Sequence, residues 1–197
     1  MEAGKHPLEI IRTIFHATPE QLEEVKSVMV EEHMPAGTVI NSHIYVPHYY
    51  IKSGAARTFY IEKGKEHTVS FAFDDEYLVT YSRMLPVDRE VLIMFMDDSD
   101  VIYSSPERMR AVLENFDSPD TQAAMMMSNA ALLNYVSTLE ERIFSLLHAN
   151  AAERYAWAIR KYPRLLECAT TTQIASFLGL TRETLYRIRS GTYPSQR

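Results

Sequence analysis

At 197 residues the chain has room for one large domain or two modest ones, and 46% of it is hydrophobic, enough for real cores. One cysteine, Cys168, excludes an internal disulfide framework and a cysteine-ligated iron–sulfur cluster, which needs several thiolates. The net charge of −6 is segregated: residues 151–197 carry eight Lys/Arg against three Asp/Glu, a net +5, whereas residues 1–150 carry twelve against twenty-three, a net −11, and a small basic module on an acidic body is the asymmetry expected of a chain that meets nucleic acid with one end.

The start, MEAGKHPLEIIRTIF, lacks the basic opening and long apolar stretch of a signal peptide, and no apolar run approaches the ~18 residues of a membrane span. A cytoplasmic protein with no membrane partner is the expectation. The first forty residues read as helical. Thr18-Pro19-Glu20-Gln21 is a helix start: a threonine cap, proline at the first position and glutamine three after the cap. Leu22, Val25, Val28 and Met29 give that helix one apolar side, and Met34-Pro35-Ala36-Gly37 is expected to end it.

From Thr38 to about Tyr103 the pattern changes to strands. Tyr49-Tyr50-Ile51, Ala56 to Ile61, Thr68 to Phe73, Val91 to Met96 and Val101 to Tyr103 are short runs rich in aromatic and β-branched residues. Lys52-Ser53-Gly54, Glu62-Lys63-Gly64-Lys65 and Asp97-Asp98-Ser99-Asp100 are turns between them. Such spacing predicts an antiparallel sandwich or roll. His43 and His48 lie near this region, but without an H-x-H or a carboxylate at a matching interval they make no metal set. Ser105-Pro106-Glu107 starts a further helix with Ser105 as cap and Met109, Val112, Leu113 and Phe116 as its apolar positions.

The stretch from Thr121 to His148 carries a heptad seam: Met125, Asn129, Leu132, Val136, Leu139, Ile143 and Leu146 recur at alternating intervals of four and three. A second stripe, Met126, Ala130, Leu133, Phe144 and Leu147, is apolar enough to lie on the strand domain. The two tracks predict a long helix that packs on its own body and on a second copy of the chain, with Asn129 as a polar register device. Met125-Met126-Met127 reads as adaptable packing. Asn150 marks a candidate hinge, and Ala151 to Lys161 a short helix ended near Pro163.

The end of the chain, TTQIASFLGLTRETLYRIR from Thr171 to Arg189, has the grammar of a helix-turn-helix. Ile174, Phe177 and Leu178 lie on one face of a first helix. Gly179 falls where the chain must turn, Ala175 is small where a second helix would cross, and Thr181 can cap that helix. Burying Leu180, Leu185 and Ile188 leaves Thr181, Arg182, Glu183, Tyr186, Arg187 and Arg189 outside. Arginine can hold guanine O6 and N7 with two bonds and a carboxylate can accept from cytosine N4, so Arg182 and Glu183 at the helix start suit base reading. Arg187 and Arg189 suit base edge or phosphate, and Thr172 joins the candidate DNA contacts.

The run T-R-E-T-L-Y-R-I resembles the recognition helix of the cyclic-AMP-receptor/fumarate-nitrate-regulator (Crp/Fnr) family of bacterial transcription factors, whose usual pattern is S/T-R-E-T-V/L-x-R. By that resemblance Arg182, Glu183 and Arg187 correspond to base-reading residues. The order helix, strands, long helix, helix-turn-helix is similar to the family's arrangement. It implies an α+β fold: an N-terminal antiparallel β-roll (double-stranded β-helix) of the cyclic-nucleotide-binding type over residues 1–120, a dimerisation helix and hinge over 121–149, and a C-terminal winged-helix-like helix-turn-helix domain over 150–197. It implies double-stranded DNA, a second copy, RNA polymerase and a small effector as partners, and no enzymatic activity. Little chain remains after the recognition helix for a wing.

Relatives that bind cyclic AMP resemble one another around a phosphate cradle, opened by a glycine and a glutamate and closed by an arginine with a small hydroxylated residue about ten positions on. The comparable stretch here is Phe73-Asp74-Asp75-Glu76-Tyr77, with Asp75 in place of the glycine. Arg83 lies seven and Arg89 thirteen positions beyond Glu76, and Glu90 follows Arg89. A like-charge pair ~4 Å apart costs about 4 kcal/mol at an effective dielectric near 20, so three successive acids are expected to repel a phosphate. No cyclic nucleotide is therefore expected; the histidine pattern and the single cysteine predict no metal or iron–sulfur cofactor, and Glu76, Arg83 and Arg89 are the candidate contacts of any other effector. Two other readings stay open: a module acting through protein contacts, and a metal-dependent roll-type enzyme.

Overall fold

The computed structural model describes residues 6–41, 49–78, 91–114 and 121–194, and within 121–134 the backbone only. The first helix, α1 (Pro7–Phe15), is followed by α2 (Pro19–Ser27). The start of α2 is the capping box read from sequence, with the Thr18 hydroxyl accepting the Gln21 N–H and the Gln21 side chain accepting the Thr18 N–H. Its end is a correction. The helix stops at Ser27, and the residues expected to extend it to Met34 form a strand, β1 (Val30–Met34). Glu31, Glu32 and His33 of that strand are exposed and only Met34 is buried, so pairing with a neighbour makes it a strand, not its own apolar pattern.

Seven more strands follow: β2 (Val39–Asn41), β3 (Tyr49–Ser53), β4 (Ala55–Glu62), β5 (Lys65–Phe73), β6 (Glu76–Leu78), β7 (Val91–Phe95) and β8 (Ser99–Tyr103). They form two four-stranded antiparallel sheets, ordered β1-β8-β3-β6 and β2-β7-β4-β5. Met34, Tyr49, Ile51, Leu78 and Val101 from the first sheet meet Ala56, Ala72, Ile93 and Phe95 from the second in one core. Alternation along β4 and β5 points Ala56 and Ala72 into that core and Ala55, Phe71 and Phe73 to the opposite face. The helix α3 (Pro106–Glu114) is capped by Ser105, whose hydroxyl accepts the Arg108 N–H, and packs its apolar side with α1 and α2 around Ile11, Phe15 and Val25.

The long helix α4 (Thr121–His148) covers the expected 28 residues and leads through Asn150 into α5 (Ala151–Lys161). Asn150 is the N-cap of α5, its side chain accepting the Ala152 and Glu153 N–H groups at 3.0 Å. A short α6 (Leu165–Cys168) precedes α7 (Thr171–Leu178) and α8 (Arg182–Arg189). Among the described residues no strand follows α8, and no helix is long and apolar enough to cross a membrane.

The C-terminal module does not stand apart from the roll. Ala55, Phe71 and Phe73 share one apolar cluster with Tyr162, Leu165, Ile174, Phe177 and Leu178. Within it the ring centroids of Phe71 and Phe177 are 5.0 Å apart and those of Phe73 and Tyr162 5.8 Å apart.

Candidate nucleic-acid interface

The turn between α7 and α8 is built as its residue types require. The Thr170 hydroxyl accepts the Gln173 N–H and the Gln173 side chain accepts the Thr170 N–H, which starts α7. Gly179 ends it in the left-handed region at φ 63°, where the Leu180 N–H donates back to the Ala175 carbonyl at 2.9 Å. A Cβ at Gly179 would lie 3.2 Å from Leu146 Cδ2, which could give way, so it is the positive φ that favours glycine here. The Thr181 hydroxyl then accepts the Thr184 N–H at 3.1 Å and opens α8.

Leu185 is the fully buried residue of α8, with Leu180 and Ile188 half-buried beside it. Arg182, Glu183, Arg187 and Arg189 are exposed, and so is Tyr186, at 70%. Thr172 and Thr181 are exposed on the same module. The Glu183 carboxyl is held below its ordinary range by its own backbone N–H and by the Thr181 hydroxyl, so it is an ionised acceptor. Among the described residues no salt bridge to another element engages Arg182, Arg187 or Arg189.

Other cations of the basic module are engaged internally. Arg154 donates to the Leu178 and Ala149 carbonyls, Lys161 pairs with Glu141 at 3.1 Å, and Arg164 reaches across to the roll. The net +5 of residues 151–197 therefore overstates the charge free to meet a polyanion, and the free part concentrates on α8.

Two arginines without a sequence signal shape the joint, Arg142 by bonding both roll and module and Arg57 by bonding the β5 residues that α7 meets. Arg142 of α4 donates to the carbonyls of Thr68 (3.2 Å), Val69 (2.9 Å) and Phe177 (3.1 Å), with its guanidinium 4.5 Å from the Phe177 ring centroid. Desolvation pulls its pKa down, the expected direction for a cation held by carbonyls instead of carboxylates. Arg57 of β4 is 1% exposed and bonds Thr68 and Glu66 under α7. Ser176 of α7 accepts the Thr68 N–H and donates to the Glu66 carbonyl, both at 3.0 Å. No sequence pattern marks these three: each is a polar residue inside a run whose apolar neighbours carry the period.

The heptad positions expected to form a dimer seam fall partly within the described residues. Met125, Asn129 and Leu132, with Met126, Ala130 and Leu133 of the second stripe, have side chains outside the described residues. Further along, Val136, Ile143 (54% exposed) and Leu146 are exposed and Leu139 is half-buried. The second stripe is a correction: Phe144 and Leu147, expected on the roll, are 67% and 72% exposed. The face of α4 turned to its own body instead carries Tyr135, Thr138, Arg142 and Ser145. Of these, Arg142 meets backbone carbonyls of β5 and α7, whereas the buried Ser145 hydroxyl has no hydrogen-bond partner among the described residues.

Of the candidate effector contacts, Arg83 and Arg89 lie outside the described residues, as do His43 and His48. The Glu76 carboxylate accepts the Phe73 N–H at 3.0 Å, and burial pushes its pKa up. Among the described residues no three His, Cys, Asp or Glu side chains form a metal set.

No family profile matches the chain, and no curated protein matches it by sequence. Solved structures do. A protein from Eubacterium rectale described as a transcriptional regulator of the crp/fnr family superposes with a TM-score of 0.70 at 18% identity, over 93% of this chain and 87% of that one. The c-di-GMP-responsive global regulator CLP of Xanthomonas campestris gives 0.64 at 14% identity, over 88% and 91%. FixK2 from Bradyrhizobium japonicum gives 0.63 at 20% identity, over 83% and 84%.

Proposed function

We propose, from the premise that this chain has the Crp/Fnr regulator fold, that it is a sequence-specific DNA-binding transcription regulator acting as a homodimer. The observation that carries the reading is the outer face of α8. A capped helix, anchored by Leu185, presents Arg182, Glu183, Tyr186, Arg187 and Arg189 to solvent. Arg182, Glu183 and Arg187 would read base edges, while Thr172, Thr181 and Arg189 would hold phosphates. The apolar strip of α4, with Ile143, Phe144 and Leu147 bare, supports a second copy of the chain as its cover. Two copies would place their α8 helices on half-sites about 34–36 Å apart on a near-palindrome.

In this reading residues 1–120 form a roll domain, 121–149 the dimerisation helix and 150–197 the DNA-binding module. RNA polymerase is the further partner such a regulator needs, and a cytoplasmic location goes with it. An effector in the roll would bias the module.

Selection from a randomised duplex pool should return a near-palindrome whose binding weakens steeply with salt. Arg182→Ala should cost about 1–3 kcal/mol on the selected site and relax the preference at one base pair. Equal weakening on every sequence would make Arg182 a phosphate contact, and the absence of salt-dependent binding to any duplex overturns the reading. Leu139→Asp should give monomers in sedimentation; an unchanged dimer places the subunit contact elsewhere.

A further inference from the structure

Three turns at one end of the roll converge on a side chain of the C-terminal module. Arg164, the residue before α6, donates through Nη1 to the Gly54 carbonyl at 3.1 Å, in the β3–β4 turn, and to Asp74 in the β5–β6 turn. Its Nη2 donates to Asp97 Oδ2 at 3.1 Å, in the β7–β8 turn. The receiving groups are fixed by the roll itself. Asp74 Oδ1 accepts the Gly54 N–H at 2.7 Å, and Asp97 Oδ1 accepts the Asp98 N–H at 3.0 Å. The Ser99 hydroxyl donates to the Asp97 carbonyl at 2.8 Å and accepts the Ala55 N–H at 3.2 Å. Gly54 sits at φ +112°, and a Cβ there would lie 2.2 Å from the Ser99 Oγ, so the turns close on each other as only glycine allows.

The other acids of the same stretch are engaged too. Asp75 accepts the Tyr50 hydroxyl at 2.7 Å and Glu76 accepts the Phe73 N–H. Each carboxylate of Asp74, Asp75 and Glu76 thus has a donor within the chain, and the only guanidinium among those donors comes from the C-terminal module. A planar fork across two carboxylates and a carbonyl is the arrangement arginine makes better than any other side chain. An exposed ion pair alone would fix little. Here the fork is two-thirds shielded and lies beside the apolar cluster of Phe73, Tyr162 and Leu165, so the polar and apolar contacts reinforce one docking geometry.

We propose that Arg164 is a built-in ligand of the roll: it occupies the acidic mouth formed by the Gly54, Asp74 and Asp97 turns and latches the C-terminal module there, so that roll and module move as one body. The orientation of α8 is then set by the chain itself for as long as Arg164 stays seated. This goes beyond the DNA-binding reading and stands without it.

The test measures the distance between spin labels at Lys63→Cys, in the β4–β5 turn, and Ser190→Cys, just after α8, in full-length chain. Cys168→Ser removes the native thiol while keeping a polar atom beside Arg164. An excess of unlabelled chain ensures that only the intrachain distance is read, and no DNA is present, so failure of the DNA reading leaves the result intact. The parent should give one narrow distance. Arg164→Ala should add a second, longer population, Asp97→Asn a smaller one, and the two changes combined no larger a population than Arg164→Ala alone. An Arg164→Ala distribution as narrow as the parent's, or two distances in the parent, overturns the latch. Should Arg164→Ala fail to fold, Arg164→Lys and Asp97→Asn decide: parental distances in both, with parental circular dichroism, overturn it.

Discussion

The two helices of the helix-turn-helix are equal in length, eight residues each, and opposite in what they bury. In α7, Ile174, Ala175, Phe177 and Leu178 are buried, and Ser176 bonds the backbone of β5. In α8 only Leu185 is buried, and the arginines face solvent. The same three-residue turn therefore joins a buried anchor to a helix with a bare face. A helix needs only one apolar anchor and a cap to be held if its neighbour is fixed to the body of the protein. Apolar burial decides which helix is which; charge decides what the free one can meet.

The largest expected effect lies on the anchor. Phe177→Ala removes a fully buried ring that touches Phe71, Trp157 and Tyr162, and should cost about 3–5 kcal/mol in chemical denaturation. Arg182→Ala on the bare helix should leave the same midpoint within ~0.5 kcal/mol and, on the proposed function, change DNA binding. Equal losses of stability from the two would erase the contrast.

A middle-sized effect is expected at Arg142, which ties anchor to roll. Arg142→Met keeps much of the stem but leaves the Thr68, Val69 and Phe177 carbonyls without their donor, at about 1–3 kcal/mol. Hydrogen exchange should quicken in β5 and α7 and not in β1 or β8. Uniform quickening would mean that Arg142 supports the whole fold and not this joint.

The smallest effect sharpens the roll side of the comparison, at Glu76. Desolvation raises its folded pKa above the ordinary 4.5, while the Phe73 N–H acts the other way. The buried charge thus subtracts stability, beginning as pH rises through about 4.5 and reaching its full extent above the raised folded value. Glu76→Gln keeps an acceptor for Phe73 and removes the charge, so its thermal midpoint should rise slightly near about pH 7 and match the parent below about pH 4. A lower midpoint at neutral pH would mean the carboxylate's hydrogen bond outweighs its desolvation.

Elements that carry their own pattern were legible in the sequence. The strands β3, β4, β5, β7 and β8 have runs of aromatic and β-branched residues, and α4, α5, α7 and α8 have apolar period or caps. The elements missed lack such a pattern. β1 is Val-Glu-Glu-His-Met and exists through pairing with β8, while β2 and β6 are three residues long. The exposed face of α8 follows from the positions of Leu180, Leu185 and Ile188. The joint to the roll does not, because Arg142 and Arg164 acquire their roles from partners far off in sequence, and a shielded arginine looks the same in a sequence as a solvated one. Phe144 and Leu147 were misplaced for the converse reason: apolar character does not say which of two neighbours a helix face will meet.

β5 lies at the end of its sheet, and the chain that satisfies its outer side comes from beyond residue 140. A fragment cut before α4 ends would bare the Glu66, Thr68 and Val69 backbone and the rings of Phe71 and Phe73 along one unprotected margin, an invitation to self-association. Recombinant expression of the isolated roll should therefore yield aggregates, and the smallest soluble piece containing it should have to retain α7.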